Sequence, residues 1–439
     1  MRSAVGSGVD DYVPGHGDSA YDVTHYDLGL VYKVSGNHLT GKAEVIAIAH
    51  EDLDEFSLDL HALHVTKLTV DGALVPKFAS RRGKVVVRTG SEIKAGQEFR
   101  VVVHYAGNPK PVSDKVMGTA GWEELTDGVI VAAQPHGAPT WYPCNDRPSD
   151  KASYRISLTV PSEYHVVANG TLLARRRGAS ATTWIYDQPE PMAPYLATVQ
   201  IGRYESREIE AAVPMYAVVP SRLSPRYNDA FGRQPEMLET FIRLFGPYPF
   251  AGYTVVVTDD DLEIPLESQG LSTFGGNHLK PDWDAVRLVA HELSHQWFGN
   301  SLTIGEWRDI WLHEGFACYA EWLWSEESGG RTTHEQALEH WGRLAALDQD
   351  LILGDPGPAL MFDDRVYKRG ALLLHALRLT VGSDDFFDLL RSWVKTHAFG
   401  TVSTQLFIGF AEARTGRALG ALFHAWLREE DLPELPLAR

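Results

Sequence analysis

At 439 residues the chain is too long for one ordinary core and long enough for two or three. Its formal net charge of −18 argues against nucleic acid and anionic lipid as partners, because their phosphates would be repelled; it would help draw in a cationic ligand, but colloidal solubility alone accounts for it. Apolar residues make up 44% and charged residues 22%, the mix of a soluble globular protein, with no apolar run near the ~18 residues needed to cross a bilayer.

The first 18 residues are small, polar and Gly-rich, with no apolar stretch after Arg2 that would read as a secretory signal. Cys144 and Cys318 are too few for a disulfide framework. A cytoplasmic location is therefore expected.

Residues 1–205 read as a β-rich domain. Tyr26, Leu28, Leu30, Tyr32 and Val34 recur at period 2, as in a strand with one buried face. Asp71-Gly72 sits between Leu68-Thr69-Val70 and Ala73-Leu74-Val75 and predicts a hairpin. Tyr154, Ile156, Leu158 and Val160 alternate again, and Asn169-Gly170 predicts another tight turn. Asn169-Gly170-Thr171 matches a glycosylation sequon but is read as turn chemistry.

Residues 206–439 read as a second, mainly helical domain, with helical periodicity from Asp229 onward. Val286, Val289, Leu293 and Trp297 recur at about 3.6 residues; Asp282 or Asp284 would cap that helix and Gly299-Asn300 would stop it. The last third breaks at Gly382, Gly400 and Gly416. The fold class is α+β, multidomain.

His291-Glu292-Leu293-Ser294-His295 falls inside the predicted helix. Residues four apart are separated by ~40° around the axis, so both imidazoles project from one face, suited to two ligands of a tetrahedral zinc. Glu292, next to the first ligand, is placed to act as general base on a water. Two ordinary helix histidines would produce the same short pattern. A third ligand is available downstream in Trp311-Leu312-His313-Glu314-Gly315-Phe316, after a reversal between Gly299 and Arg308. Glu314 is the candidate; His313 competes, but its side chain would point ~100° away on the same helix. Two histidines and a glutamate make a catalytic set with one open position, whereas a structural zinc usually draws on cysteines. Glu321, two turns beyond Glu314, would either orient a ligand imidazole or lie exposed to solvent.

At these residues the chain resembles the M1 family of gluzincin aminopeptidases. His-Glu-Leu-Ser-His-Gln-Trp-Phe-Gly-Asn (291–300) and Trp-Leu-His-Glu-Gly-Phe-Ala (311–317) are similar to its two ligand motifs, with His313 where the family usually has Asn. Residues 21–28 resemble the family's opening strand, and Trp141-Tyr142-Pro143-Cys144-Asn145-Asp146 its Pro-Cys-x-Asp segment. The resemblance implies one Zn²⁺ per chain on His291, His295 and Glu314, in a thermolysin-like catalytic domain. It also implies a short form without the C-terminal helical domain of larger members. Ile264-Pro265-Leu266-Glu267-Ser268 stands where the family carries Gly-Ala-Met-Glu-Asn, so Glu267 would grip a free peptide N-terminus, the alternative being an acidic loop residue. Pro265 has no N–H to offer a peptide backbone. Gln134 falls at a second N-terminus-recognising position, and Val366-Tyr367-Lys368-Arg369-Gly370 resembles the Tyr-x-x-Gly segment, making Tyr367 an oxyanion donor.

The expected function is hydrolysis of the N-terminal residue from peptides with a free N-terminus. The alternatives are a zinc endopeptidase or epoxide hydrolase on the same site, or a non-catalytic, zinc-retaining peptide-binding protein.

Overall fold

The two alternating segments meet in one sheet. Strands Tyr21–Lys33 and Ala152–Pro161 run side by side in parallel, Tyr26 opposite Tyr154 and Leu28 opposite Ile156. Tyr26, Leu28, Leu30 and Tyr32 are buried on one face, as period 2 demands; Val34 lies just past the strand. The structure, a computed structural model, describes residues 10–437.

This sheet has eight strands. From edge to edge they are 171–177, 181–192, 152–161, 21–33, 38–49, 98–107, 64–70 and 73–74. A three-stranded sheet (53–59, 84–93, 78–81) and a five-stranded one (165–168, 199–202, 128–132, 118–125, 112–114) complete the N-terminal β structure. Asp71-Gly72 makes the expected hairpin: Val70 pairs with Ala73, and φ is +49° and +80° at the two turn residues. Positive φ at both positions is what a two-residue turn matching strand twist requires.

The Asn169-Gly170 turn differs from a hairpin, because the strands flanking it belong to different sheets. The Asn169 side chain is fully buried there; it donates to Leu196 O and Gln269 O and accepts from Thr198 N. The sequon is thus inaccessible to a glycan, and Asn169 works as a tie between segments.

Past Tyr204 the chain first builds another sheet, not helix. Its order is Glu205–Ile209, Met215–Val219, Tyr253–Val257, Leu271–Phe274, Leu266–Ser268, which leaves Leu266–Ser268 at the edge. Interleaved with and following it are nine helices among the described residues. They are α1 (Tyr227–Phe231), α2 (Gln234–Phe245), α3 (Trp283–Ser294), α4 (Trp311–Glu327), α5 (Thr333–Ala345), α6 (Asp364–Val381), α7 (Ser383–His397), α8 (Thr404–Thr415) and α9 (Gly420–Arg428). None is long and apolar enough to cross a membrane. Both cysteines are free and buried.

Two helix contacts position the site. Helix α4 packs against α3 and α6, and its crossing with α6 is made by glycines. A Cβ on Gly370 would stand 2.8 Å from the Gly315 Cα, and one on Gly315 2.9 Å from the Gly370 Cα. Only backbone fits between them, so Glu314, next to Gly315, and Tyr367, about one helical turn before Gly370, are drawn together.

Candidate active site

Asp282, not Asp284, caps α3, its Oδ1 accepting from Ala285 N at 3.0 Å. The apolar face predicted for this helix is inside: Val289, Leu293 and Trp297 are buried. His291 and Glu292 occupy its last turn, and His295 follows the last helical residue while keeping helical backbone angles. Gly299, at φ +135°, then turns the chain away.

Each imidazole is held by its Nδ1. His291 Nδ1 lies 2.8 Å from Glu321 Oε1, and His295 Nδ1 lies 2.9 Å from Phe298 O. Both partners are acceptors, so Nδ1 carries the proton and each Nε2 keeps its lone pair. The two Nε2 atoms converge on one carboxylate oxygen, Glu314 Oε2, at 3.3 and 3.4 Å. All three side chains are buried, and their donor atoms lie within 4.8 Å of one another. Two imidazole nitrogens and one carboxylate oxygen suit a zinc ion at ~2.0–2.2 Å per bond with room for a fourth ligand.

The charge balance asks for the same ion. Glu292, Glu314 and Glu321 are at most 4% exposed, and among the described residues only Arg287 meets one of them with a fixed positive charge by direct contact, 3.3 Å from Glu321. Burial alone would lower the imidazole pKa values, yet the neighbouring carboxylates outweigh it and push His291 up to about 10 and His295 up to about 9. A divalent cation meets the demand that those protons would otherwise meet.

His313 is buried but turned elsewhere: its Nε2 accepts from Ile304 N at 3.0 Å. Burial pushes its pKa down to about 3, which keeps it a neutral acceptor that pins the short strand 303–304. Glu321 resolves in favour of orienting an imidazole, being 2% exposed and bound to His291.

Glu292 has the features of a base. Its Oε2 is buried and accepts no hydrogen bond from the described residues, and burial raises its pKa. Tyr367, in the first turn of α6, stacks its ring on His291 with centroids 5.9 Å apart and planes at 21°. Burial and then Glu314, Glu267 and Glu292 raise its pKa well above the ordinary value, so the hydroxyl remains a donor. The rest of that segment is equally occupied. Lys368 turns to a neighbouring cavity, Arg369 donates to five backbone carbonyls including those of residues 429–431, and Gly370 packs on Gly315.

Glu267 sits in the edge strand opposite Ser272, and its carboxylate shares a 4.8 Å neighbourhood with Glu292 and His295. Two residues that sequence reasoning passed over hold this strand. Gln296 accepts from Gly270 N and donates to Ser268 O, and Asn300 donates to Ser268 O at 2.9 Å. Both stand within the 291–300 motif, so their place there was the available signal. Gln134 follows the strand Gly128–Ala132 and is half-buried, with an Nε2 that finds no hydrogen-bond partner among the described residues. The structure thus brings His291, His295, Glu314, Glu292, Tyr367 and Glu267 together; it shows no hydrogen bond joining Gln134 to them.

Two family models match the chain in succession: the Peptidase M1 N-terminal domain over residues 22–196 and the Peptidase family M1 domain over 230–426. The chain belongs to peptidase family M1.

Among its M1 relatives, aminopeptidase M1-B of rice (Oryza sativa subsp. japonica) is 25% identical over 93% of this chain and 50% of its own length. The leucyl aminopeptidase of Saccharolobus solfataricus is 24% identical over 94% and 54%. The chain therefore spans about half the length of the curated relatives it matches. Solved structures agree over nearly whole chains. The M1 zinc metallopeptidase of Deinococcus radiodurans superposes with a TM-score of 0.90 at 30% identity, covering 98% of this chain and 99% of that one. A mutant of a two-domain M1 zinc metallopeptidase bound to L-arginine gives 0.90 at 31%, again over 98% and 99%. A Deinococcus radiodurans mutant bound to a Tyr-Ser-Ala substrate gives 0.90 at 30% with the same coverage.

Proposed function

We propose that this M1 chain is a zinc aminopeptidase that removes the N-terminal residue from peptides with a free α-ammonium. The observation that carries the reading is one shared neighbourhood: Glu267, Glu292 and His295 meet within 4.8 Å, beside the His291, His295 and Glu314 set. A carboxylate so close to the reacting centre pairs with an ammonium and leaves space for one residue before the scissile bond.

His291, His295 and Glu314 would hold the zinc, which when bound supplies Lewis-acid polarisation and a more acidic water. Glu292, through its unpartnered Oε2, takes a proton from the attacking water and returns it to the departing amine. Tyr367 donates its hydroxyl hydrogen to the oxyanion that develops on the scissile carbonyl. Glu267 neutralises the α-ammonium, and Gln134 adds an acceptor from its amide oxygen. Gln296 and Asn300 keep the Glu267 strand in place. An endopeptidase places no α-ammonium opposite Glu267, and a non-catalytic binder has no use for a base at Glu292. A cytoplasmic setting belongs to the same reading and agrees with two buried free cysteines.

The test compares aminoacyl arylamides with their N-acetylated forms. Wild type should cleave the free amines and hardly touch the blocked ones. Glu267→Ala should lower kcat/KM on free amines by about 10–100-fold, the worth of one charge-assisted contact, while leaving the blocked ones as poor as before. Equal cleavage of both forms by wild type would refute the aminopeptidase reading.

A further inference from the structure

Lys151 stands just before the strand Ala152–Pro161, and its side chain leaves the N-terminal sheet for the end of α3. The ammonium donates to three backbone carbonyls, Asn300 O at 3.1 Å and Ser301 O at 2.9 Å beyond α3, and Gly400 O at 3.4 Å beyond α7. Three donors meet three acceptors, and among the described residues no carboxylate pairs with this lysine. Burial pushes its pKa down to about 7. A methionine would fill the same space without that desolvation, which leaves the carbonyls as what the charge serves.

Both ends of this contact are anchored. Asp150, next to the lysine, is buried and accepts from Val23 N at 2.9 Å and from the Asn145 side chain. The carbonyls of Asn300 and Ser301 belong to the turn that closes α3. Past His295 the chain folds back through wide backbone bonds: Asn300 N donates to His295 O at 3.0 Å, Ser301 N to Gln296 O at 3.1 Å and Leu302 N to Trp297 O at 3.1 Å. The peptide units 300–301 and 301–302 therefore donate to the end of the helix and accept from Lys151. A cation on the acceptor side polarises each N–H, and it stands where the helix dipole is negative. Lys151 thus acts on α3 as a C-terminal cap does, but from a distant part of the chain.

We propose that Lys151 is a positioning residue for the metal centre, clamping the end of α3 from the N-terminal sheet and thereby fixing His295 as a ligand. The clamped turn carries Phe298 O, the acceptor that holds His295 Nδ1. It also carries Asn300, whose side chain donates to Ser268 O beside Glu267. Without the clamp the acceptor on His295 loosens, and the aim of its Nε2 with it. The inference rests on His291, His295 and Glu314 as the zinc ligands and is independent of the substrate.

The test is zinc affinity, measured on the full chain by chelator competition with no substrate present. Lys151→Met keeps the reach of the side chain and removes the charge; affinity should fall by about 10-fold, the lower end of what a lost partner of a metal ligand costs. Lys151→Arg keeps charge and donors and should recover most of that loss, with Lys151→Gln between the two. A Lys151→Met protein that melts at a lower temperature yet binds zinc as tightly as wild type would overturn the proposal and make Lys151 a structural tie alone. Should Lys151→Met not fold, the comparison of arginine with glutamine decides: tighter zinc binding by the arginine variant supports the clamp, and equal affinities refute it. Failure of the aminopeptidase reading would appear instead in the free and acetylated arylamides and would leave these affinities untouched.

Discussion

The proposed ligand set and the proposed recognition residues are built in contrasting ways. His291, His295 and Glu314 are nearly solvent-free, come from two packed helices, and have each ring fixed by a second acceptor on Nδ1. Glu267 and Gln134 are half-buried and come from an edge strand and a loop in different sheets, and no hydrogen bond joins them. A metal needs donors placed within tenths of an ångström, which buried helices supply. Substrate recognition needs access, which an edge strand supplies at a cost in rigidity. Here Gln296 and Asn300 offset that cost, because they extend from the segment that carries His291 and His295 to hold the strand by Ser268 and Gly270.

If the contrast is real, substitutions on its two sides should separate by the quantity they change. Tyr367→Phe removes a donor that acts on the developing oxyanion, so kcat should fall by about 10²–10³-fold with KM nearly unchanged. Steady-state kinetics on an aminoacyl arylamide check this, and an effect confined to KM would make Tyr367 a packing residue. Glu321→Gln keeps the shape around His291 but weakens the acceptor on Nδ1. Zinc affinity should drop by about 10–100-fold in a chelator competition, with substrate preference unaltered. An unchanged affinity would mean that the buried Glu321 serves the fold alone.

Legibility in the sequence followed the same division. The ligand pair and Glu314 could be read locally, because helical spacing fixes which side chains share a face. The hairpin at Asp71-Gly72 was legible from its turn residues, and the strands around Tyr26 and Tyr154 from their alternation, though not that the two lie side by side. The five-stranded sheet beyond Tyr204 was not. Met-Tyr-Ala-Val-Val (215–219) and Tyr-Thr-Val-Val-Val (253–257) are inner strands buried on nearly every residue, so the period-2 signal vanishes. The turn at Asn169-Gly170 was legible, but a turn does not reveal that its flanking strands diverge into separate sheets. Glu267 and Gln134 carry no local pattern and were found only through likeness to a family. The Gly315–Gly370 contact was hidden as well, because a glycine inside a helix reads as a weakness until its partner helix is seen.

The central claim is that His291, His295 and Glu314 hold a zinc ion over which Glu292 alone moves the proton. Glu292→Gln tests it most directly, with zinc content and turnover measured on the same preparation. The variant should retain one zinc per chain and lose about 10²–10⁴-fold or more in kcat, since an amide of equal shape cannot accept the proton. Full zinc occupancy with activity within about tenfold of wild type, short of that range, would contradict the account and require another base.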